Sequence, residues 1–475
     1  MEQLSGLDAA FVYAETAGAA HVTFFAIYDP SSAPGGTVTM DDVIAHVGSR
    51  LGADRVFRSV LARVPFDLDH PYWVRDEKFE LTRHIHRVTL PRPGGWRQLC
   101  EQVSQLHEQR LDLSRPPWEG YFIDGLNGIS GVPKGAFALC IKVHHSAVDG
   151  VAGLGLVNAL HDMTPESAPA PQDDWTPEPR PSSLNLLART AVTYARRPAQ
   201  FVSAATHTLP LLSKLPAAVT RLLPVGQREP LLAEVPNSPF NQHTDGRRNF
   251  DARSYDLAAV LDTRKQRAGA TVNDVVLTGI GGAMRRYLLE KGELPEAPLV
   301  TAMAISLPND PGQKGANHVS VVRVSLGSNV ADPIARLAAV HESATKSKAV
   351  SDEVGERVLE YVEFLPGGLL VATLRLGMAA NLGKFYESSR VANTLVSTMR
   401  GPDFPIYLVG ARMIAGYALS PFTQGCGLIH NVISYHGQVV VSINGCPTVL
   451  PDIDHYADCM DASFAELTSC ASTAP

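Results

Sequence analysis

Residues 144–150 read HHSAVDG and directly follow the apolar run AFALCIKV at residues 136–143. A short apolar run of this length predicts a buried strand. Residues 151–163 follow, with Leu154, Val157, Leu160 and Met163 near helical spacing. Two adjacent imidazoles are therefore expected where a strand gives way to a helix, a position that can hold a base rigidly and still expose it to a cavity.

The two histidines are expected to have different environments, because side chains alternate across a strand and only one of them can face a substrate. We expect that one to be His145, since a neutral imidazole is an effective base near neutral pH. Asp149 lies at the predicted turn, and Gly150 permits backbone angles that other residues resist. The alternative is a core histidine beside a surface histidine, with Asp149 as an ordinary helix N-cap.

Composition excludes several classes of function. The chain has 475 residues with 41 basic and 48 acidic side chains, a net charge of −7 that argues against general nucleic-acid binding. Its six cysteines form no C-x-x-C pair, which fits a reducing cytosol and gives no zinc signature, so no metal is expected. We expect no cofactor either. The first residues lack a signal sequence, and no apolar window is long enough for a membrane span; residues 369–382 come nearest and are expected to form a core helix.

A proline-rich stretch divides the chain. Residues 164–183 contain six prolines and predict an extended linker, and a proline-interrupted helical bridge follows. We therefore expect an N-terminal subdomain at 1–163 that carries the histidine pair, a linker and helical bridge at 164–230, and a C-terminal subdomain at 231–475. Other catalytic patterns fail: the chain has no G-x-S-x-G elbow, and Cys140 falls on the opposite strand face from His145.

The second part mixes helices and strands. Residues 271–291 predict a helix with one apolar face, and Thr271 followed by Asp274 predicts a capping box at its start. Gly292 is expected to end it. Residues 428–434 and 438–443 predict paired strands around His436-Gly437.

The H-H-x-x-x-D-G string is typical of the CoA-dependent acyltransferase superfamily, and the chain resembles its bacterial wax ester synthase/diacylglycerol acyltransferase branch. Four further stretches are similar to that family over nearly the whole length: LSGLDAAF (4–11), LDLSRPPWE (111–119), TVNDVVL with GAMRRYL (271–288) and NHVS (317–320). Three stretches depart from the family pattern, namely AHVT (20–23), PND (308–310) and TMRGP (398–402). These departures concern the acceptor pocket and the acyl tunnel.

The resemblance implies an α/β fold of two chloramphenicol-acetyltransferase-like subdomains with mixed sheets and an active-site channel between them. It implies His145 as general base, with His144, Asp149 and Gly150 supporting the loop and Asp149 acting structurally rather than as a relay. Asn273 and Asp274 are candidates for oxyanion or channel-wall contacts, or simply helix-terminal residues. Arg285 and Arg286 are candidates for CoA phosphates, or a solvated helix face.

The implied reaction moves an acyl group from acyl-CoA to the hydroxyl of diacylglycerol or a fatty alcohol, without a covalent enzyme intermediate. The expected location is cytoplasmic, peripherally on the inner face of the membrane or on lipid inclusions. Two alternatives stay open: an acyltransferase that takes its acyl group from a carrier protein, and a non-catalytic lipid-binding relative.

Overall fold

The structure, a computed structural model, describes residues 1–15, 19–148, 159–169, 172–193, 195, 235–306, 319–364, 392–422 and 425–472. The strands, in chain order, are β1 (Glu2–Gln3), β2 (His21–Asp29), β3 (Ser59–Ala62), β4 (Tyr72–Arg75), β5 (Ile85–Thr89), β6 (Trp118–Asp124), β7 (Phe137–His144), β8 (Asn249–Asp256), β9 (Val300–Ser306), β10 (Val319–Ser325), β11 (Thr394–Arg400), β12 (Tyr407–Leu408), β13 (Ala411–Leu419), β14 (Leu428–Tyr435) and β15 (Gln438–Gly445). The α-helices whose bounds fall within the described residues are α1 (Gly6–Ala14), α2 (Met40–Arg50), α3 (Trp96–Glu108), α4 (Leu257–Arg264), α5 (Val272–Glu290), α6 (Pro333–Phe364) and α7 (Ile453–Ser472), and a further helical stretch covers residues 183–193.

Two six-stranded sheets organise the described chain. The first sheet has the strand order β12-β13-β2-β7-β6-β5 and is antiparallel except for the β5–β6 pair. The second sheet has the order β10-β9-β11-β14-β15-β8, with β11 parallel to both β9 and β14. A small sheet, β1-β4-β3, lies at the N terminus. The predicted mixed α/β class is confirmed.

The first sheet is not built from the N-terminal sequence alone. Its strands β12 and β13 come from residues 407–419, within the segment 231–475 that the proline-rich stretch sets apart. Strand β13 pairs antiparallel with β2 and so covers an edge that would otherwise expose unpaired backbone groups. The two sheets therefore do not coincide with the two sequence segments on either side of the linker.

The two sheets meet through a shared apolar cluster. Phe25 of β2 packs edge-on against Phe250 of β8, with ring centroids 5.4 Å apart, and Tyr417 of β13 stacks on Phe25 at 4.7 Å. Helix α3 joins this contact, since the indole N–H of Trp96 donates to the Asp251 carboxylate at 2.8 Å. This packing fixes the position of the central strand β7 relative to the second sheet.

Several local predictions are confirmed. Helix α5 begins with the reciprocal Thr271–Asp274 capping box and is followed by Gly292 at a φ of 70°. Strands β14 and β15 form the predicted hairpin around His436-Gly437. Within the linker, residues 172–182 have no regular secondary structure and residues 183–193 are helical. Among the described residues, no helix combines the length and apolar composition needed to cross a membrane, and the 369–382 segment lies outside them.

Candidate active site

The histidine pair lies at the end of the central strand of the first sheet, where both neighbouring strands hold it. The backbone N–H of His144 donates to Pro117 O at 2.9 Å, and that of His145 donates to Ala20 O at 2.8 Å. The chain then turns, with the Ala147 N–H donating to His144 O at 2.9 Å. The stretches 20–23 and 111–119, noted in the sequence for their resemblance, thus flank the histidine motif directly.

The imidazole of His145 is half-buried and stacks on the ring of Phe11, with centroids 4.0 Å apart and an angle of 12° between the planes. Burial lowers the pKa of His145 to about 4 because it disfavours the charged imidazolium. The ring is therefore neutral at physiological pH. A neutral imidazole has a nitrogen lone pair that can accept a proton.

Helix α1 brings Phe11 to this position. Ser5 caps the helix, since its Oγ accepts from the Asp8 N–H at 3.1 Å. The buried Asp8 carboxylate, one turn before Phe11, acts against burial by raising the pKa of His145. The same helix contacts α6, which packs against β10 of the second sheet. His145 therefore stacks on a helix that connects to the layer of the second sheet.

His144 points the other way and is fully buried. Its Nδ1 lies 2.7 Å from the Ser146 hydroxyl and 3.2 Å from the Ser146 N–H. An amide N–H can only donate, so Nδ1 is the acceptor and the ring proton is on Nε2, which faces a Glu15 oxygen 3.5 Å away. Glu15 also accepts from the Ala20 N–H at 2.6 Å. Burial alone would raise the pKa of Glu15, but these contacts outweigh it and lower the pKa, so the group is a carboxylate.

The face of β7 that carries His144 is a buried polar layer against α3. Lys142 is fully buried, and its Nζ donates to two carbonyls at the C-terminal end of α3, Leu106 O at 3.1 Å and, just after the helix, Gln109 O at 2.8 Å. Its charge is met by Glu119, 3.2 Å away. Cys140 lies on the same face, and burial raises the pKa of its thiol to about 12, so it cannot act as a nucleophile near neutral pH.

His21 extends this polar layer on β2, directly opposite His144 in the strand register. Its Nε2 donates to the His107 carbonyl at 2.6 Å, and the His107 ring contacts the Thr23 hydroxyl at 2.8 Å. Burial lowers the pKa of His21 to about 3. The AHVT stretch at residues 20–23 differs from the family pattern. Its His21 and Thr23 are buried groups that support the strand end behind the histidine pair.

The other candidate residues belong to α5, which packs against the second sheet. Asn273 is half-buried in the first turn of α5, and Asp274 completes the capping box while its carboxylate pairs with His341 Nδ1 of α6 at 3.0 Å. Arg285 donates to Ser328 O at 2.9 Å, and Arg286 lies 3.4 Å from Glu466. Each of the last three side chains therefore has a protein partner, and their contacts with substrate stay predictions.

Asp149 and Gly150 lie outside the described residues, so their expected roles also stay predictions. Two residues at the site were given no role from sequence: Phe11, which stacks on His145, and Glu15, which faces His144. A signal was present, because Ser5 followed by Asp8 is a helix start and Phe11 follows one turn later on the same face.

Sequence comparison matches the chain to one protein family over most of its length. The wax ester synthase/diacylglycerol acyltransferase catalytic domain profile matches residues 4–276, and the C-terminal domain profile of that family matches residues 315–468. A Mycobacterium tuberculosis protein provisionally named a diacylglycerol O-acyltransferase is 33% identical over 100% of this chain and 92% of its own length. A similar relative from Mycobacterium bovis is 29% identical over 99% of this chain and 100% of its own.

Solved structures show the same relationship. The wax ester synthase/diacylglycerol acyltransferase from Marinobacter aquaeolei superposes with a TM-score of 0.69 at 25% identity, covering 99% of this chain and 100% of that one. A condensation domain of the calcium-dependent antibiotic synthetase shares the fold alone, with a TM-score of 0.57 at 11% identity over 99% of this chain and 96% of its own. The chain therefore belongs to the wax ester synthase/diacylglycerol acyltransferase family and is an acyltransferase.

Proposed function

We propose that this enzyme transfers a long-chain acyl group from acyl-CoA to the hydroxyl of diacylglycerol or a fatty alcohol, with His145 as general base. The observation that carries the proposal is the imidazole of His145, which follows the end of β7 and stacks on Phe11 of a helix that contacts α6. Burial lowers the pKa of this imidazole, which favours its neutral form. Family membership supports the acyl-transfer chemistry, and the names of the relatives supply the acceptor class.

The proposed step balances without a covalent enzyme intermediate. The acceptor oxygen attacks the thioester carbon while His145 takes the hydroxyl proton; the carbon–sulfur bond then breaks and CoA leaves as a thiolate. A thiol has a pKa of about 8.5, far above the pKa of about 4 for His145, so the imidazolium readily returns its proton to the sulfur. A positioned base contributes about 10²–10⁴-fold to such a reaction.

The supporting residues have distinct roles in this proposal. Phe11 fixes the plane of the reacting imidazole, and the Glu15–His144 pair fixes the strand end behind it. Asp149 holds the turn. Asn273 contacts the developing oxyanion or the channel wall. Arg285 and Arg286 bind CoA phosphates through the N–H donors that do not already bond to Ser328 and Glu466.

The enzyme would work peripherally on the cytoplasmic face of a membrane or on a lipid inclusion, because its acceptors partition into lipid. This part of the proposal rests on substrate chemistry alone. Sedimentation with phospholipid vesicles and with triacylglycerol-loaded particles would test it. Protein that stays in the supernatant in both cases would contradict it.

The test of the function measures thiol release from palmitoyl-CoA with and without hexadecanol or dioleoylglycerol, together with the ester product. We expect acceptor-dependent thiol release and a matching ester, both abolished in His145→Ala and retained in the control His243→Ala, which changes an exposed histidine. Near-normal acyl transfer by His145→Ala would show that His145 is not the general base. Transfer from an acylated carrier protein but not from palmitoyl-CoA would overturn the donor and favour the carrier-dependent alternative.

A further inference from the structure

Three side chains that commonly bind metal ions converge far from the histidine pair along the chain. Glu290 is the last residue of α5, and His455 and Cys459 lie in the first turns of α7. His455 Nε2 lies 2.7 Å from Glu290 Oε2 and 3.9 Å from Cys459 Sγ, and all three ligand atoms lie within 4.8 Å of one another. Glu290 and His455 are exposed, so an ion from solution can reach them.

The spacing within α7 is that of a helical chelate. Residues four apart face the same side of a helix, and this spacing lets two side chains of one helix bind the same ion. The third ligand comes from another helix, so the cluster depends on how α5 packs against α7. No C-x-x-C motif marks it, which is why the cysteine spacing in the sequence gives no zinc signature.

The packing of these two helix ends is fixed without any ion. Asp452, just before α7, accepts from the Tyr287 hydroxyl of α5 and pairs with Lys291 Nζ at 3.0 Å. Tyr287 also packs against Tyr456, with ring centroids 5.4 Å apart. The ligands are therefore held near one another before binding, which lowers the ordering cost that a metal ion must overcome.

The charges around the cluster favour a cation. The two nearby cations are already paired, Lys291 with Asp452 and Arg286 with Glu466. The carboxylates of Glu290 and Asp458 also lie close to Cys459. A divalent ion that binds the sulfur would displace the thiol proton into solvent and neutralise the negative charges of the thiolate and of Glu290.

We propose that Glu290, His455 and Cys459 form a binding site for a divalent transition-metal ion of the zinc type, with water at the fourth position. One carboxylate oxygen, one imidazole nitrogen and one thiolate are a donor set that zinc accepts in tetrahedral geometry, at about 2.0–2.3 Å from each atom. Tetrahedral bonds of these lengths place the ligand atoms about 3.3–3.6 Å apart. The His455 and Glu290 atoms would therefore move apart by about half an ångström, and the His455 and Cys459 atoms would approach by about as much. The bound ion would connect the start of α7 to the end of α5 and so stabilise the packing of these two helices.

Cobalt(II) is a direct probe, because a thiolate–cobalt bond gives a near-ultraviolet charge-transfer band and tetrahedral cobalt gives visible bands. The full-length protein, stripped with a chelator and desalted, would be titrated with CoCl₂ and then with ZnCl₂. We expect both sets of bands to appear, zinc to remove them, and zinc to raise the melting temperature. The melting shift is a readout independent of acyl transfer.

Cys459→Ser should abolish the charge-transfer band while keeping the metal-free melting temperature, because serine nearly preserves the side-chain shape. Glu290→Gln and His455→Ala should each weaken cobalt binding by about tenfold or more. Replacing residues that only hydrogen-bond to metal ligands already lowers metal affinity by about that factor. Cys470→Ser and His243→Ala are matched controls that should leave the bands unchanged. A wild-type protein without the thiolate band, or a band that survives Cys459→Ser, would overturn the proposal whether or not the enzyme transfers acyl groups.

Discussion

The ring of Phe11 lies nearly parallel to the imidazole of His145 at a centroid distance of 4.0 Å. One ring comes from the N-terminal helix and the other from the end of a central strand, so the stack joins two elements that are distant in sequence. The contact covers one face of the imidazole, excludes water from it and fixes its plane. Both effects bear on the proposed base: its geometry and its low pKa.

Phe11→Ala should therefore slow acyl transfer and change its pH dependence. We expect kcat to fall by about tenfold to a hundredfold, the effect of a small misplacement of a reacting group. Water entering the space left by the ring should raise the pKa of His145 from about 4 toward 6.5, so the acid limb of kcat should move to higher pH. Rate profiles from pH 4 to 8 measure both effects.

Two variants sharpen that experiment. Phe11→Tyr keeps an aromatic ring and should retain most of the activity, whereas Phe404→Ala removes a ring that is 42% exposed and should change nothing. A Phe11→Ala enzyme with a lowered rate but an unshifted acid limb would show that the stack does not set the pKa of the base.

Glu15→Gln should weaken the support behind the pair. The carboxylate of Glu15 links the end of α1 to the start of β2 through the Ala20 N–H and faces His144. Losing its charge-assisted contacts should cost about 1.5–3 kcal/mol of unfolding free energy and lower the rate. Urea unfolding measures the first and the thiol-release assay the second. Glu77→Gln, at an exposed position, is the control, and equal stability of the two variants would contradict the role.

Much of the local structure was predictable because it rests on neighbouring residues. Strand β7 follows from its apolar run, the start of α5 from Thr271 and Asp274, and the β14–β15 hairpin from its turn residues. The partner of β13 was not predictable, since pairing with β2 depends on which edge is free after the first sheet forms. The same limit applies to Phe11, whose contact with His145 joins distant parts of the chain.

Helix α5 shows a different limit. Its sequence predicts one apolar face, yet it is buried on nearly all sides, including at Gly279 and Gly281. A Cβ on Gly279 would lie 2.4 Å from the Phe464 ring, and one on Gly281 would lie 2.1 Å from Leu326 O. Glycine there permits neighbouring elements to approach the helix backbone. The spacing of apolar side chains does not reveal a face of a helix that packs closely because it carries glycine.

Gly281→Ala should accordingly destabilise the protein, although the same change in a helix normally stabilises it by about 1 kcal/mol. The obstructing atom is a backbone carbonyl oxygen that cannot rotate away, and overpacking of this kind costs about 1–3 kcal/mol. Gly48→Ala in α2 is the matched control, because its Cβ would meet only the movable end of Leu81 at 3.3 Å. Urea unfolding of both variants gives the comparison, and a stabilised Gly281→Ala protein would disprove the close approach.

The ion pair between the buried Lys142 and the half-buried Glu119 should lose more stability when one partner is replaced than when both partners are replaced. Lys142→Met leaves Glu119 and two helix-terminal carbonyls without their cation, and loss of one partner of a buried pair costs about 3–5 kcal/mol. The double variant Lys142→Met/Glu119→Gln should recover part of that loss. A double-mutant cycle on unfolding free energies tests this, and strict additivity of the two single changes would rule out the coupling.

Acid should destabilise the fold through three histidines whose pKa values are lowered by burial. Burial lowers the pKa of His430 and of His21 to about 3 and that of His145 to about 4, from an ordinary value of 6.5. Between those values the unfolded chain binds a proton that the folded chain does not, so each group lowers the unfolding free energy by about 1.4 kcal/mol per pH unit as the pH falls. Above pH 6.5 these three groups do not reduce the unfolding free energy. Below pH 6.5 the reduction grows as the pH falls, until about pH 3.

His430 offers the cleanest test, because it is fully buried between Thr394 and Tyr456 and lies in the second sheet. His430→Gln removes the titrating group but keeps a polar side chain. The unfolding free energy of this variant should therefore fall less steeply between pH 6.5 and 4 than that of the wild type, by about 1.4 kcal/mol per pH unit, the slope produced by one proton. His243→Gln, at an exposed site, should keep the wild-type slope. Equal slopes for His430→Gln and the wild type would mean that His430 binds its proton equally in both states, because only a difference in proton binding between the folded and unfolded chain produces pH-dependent stability.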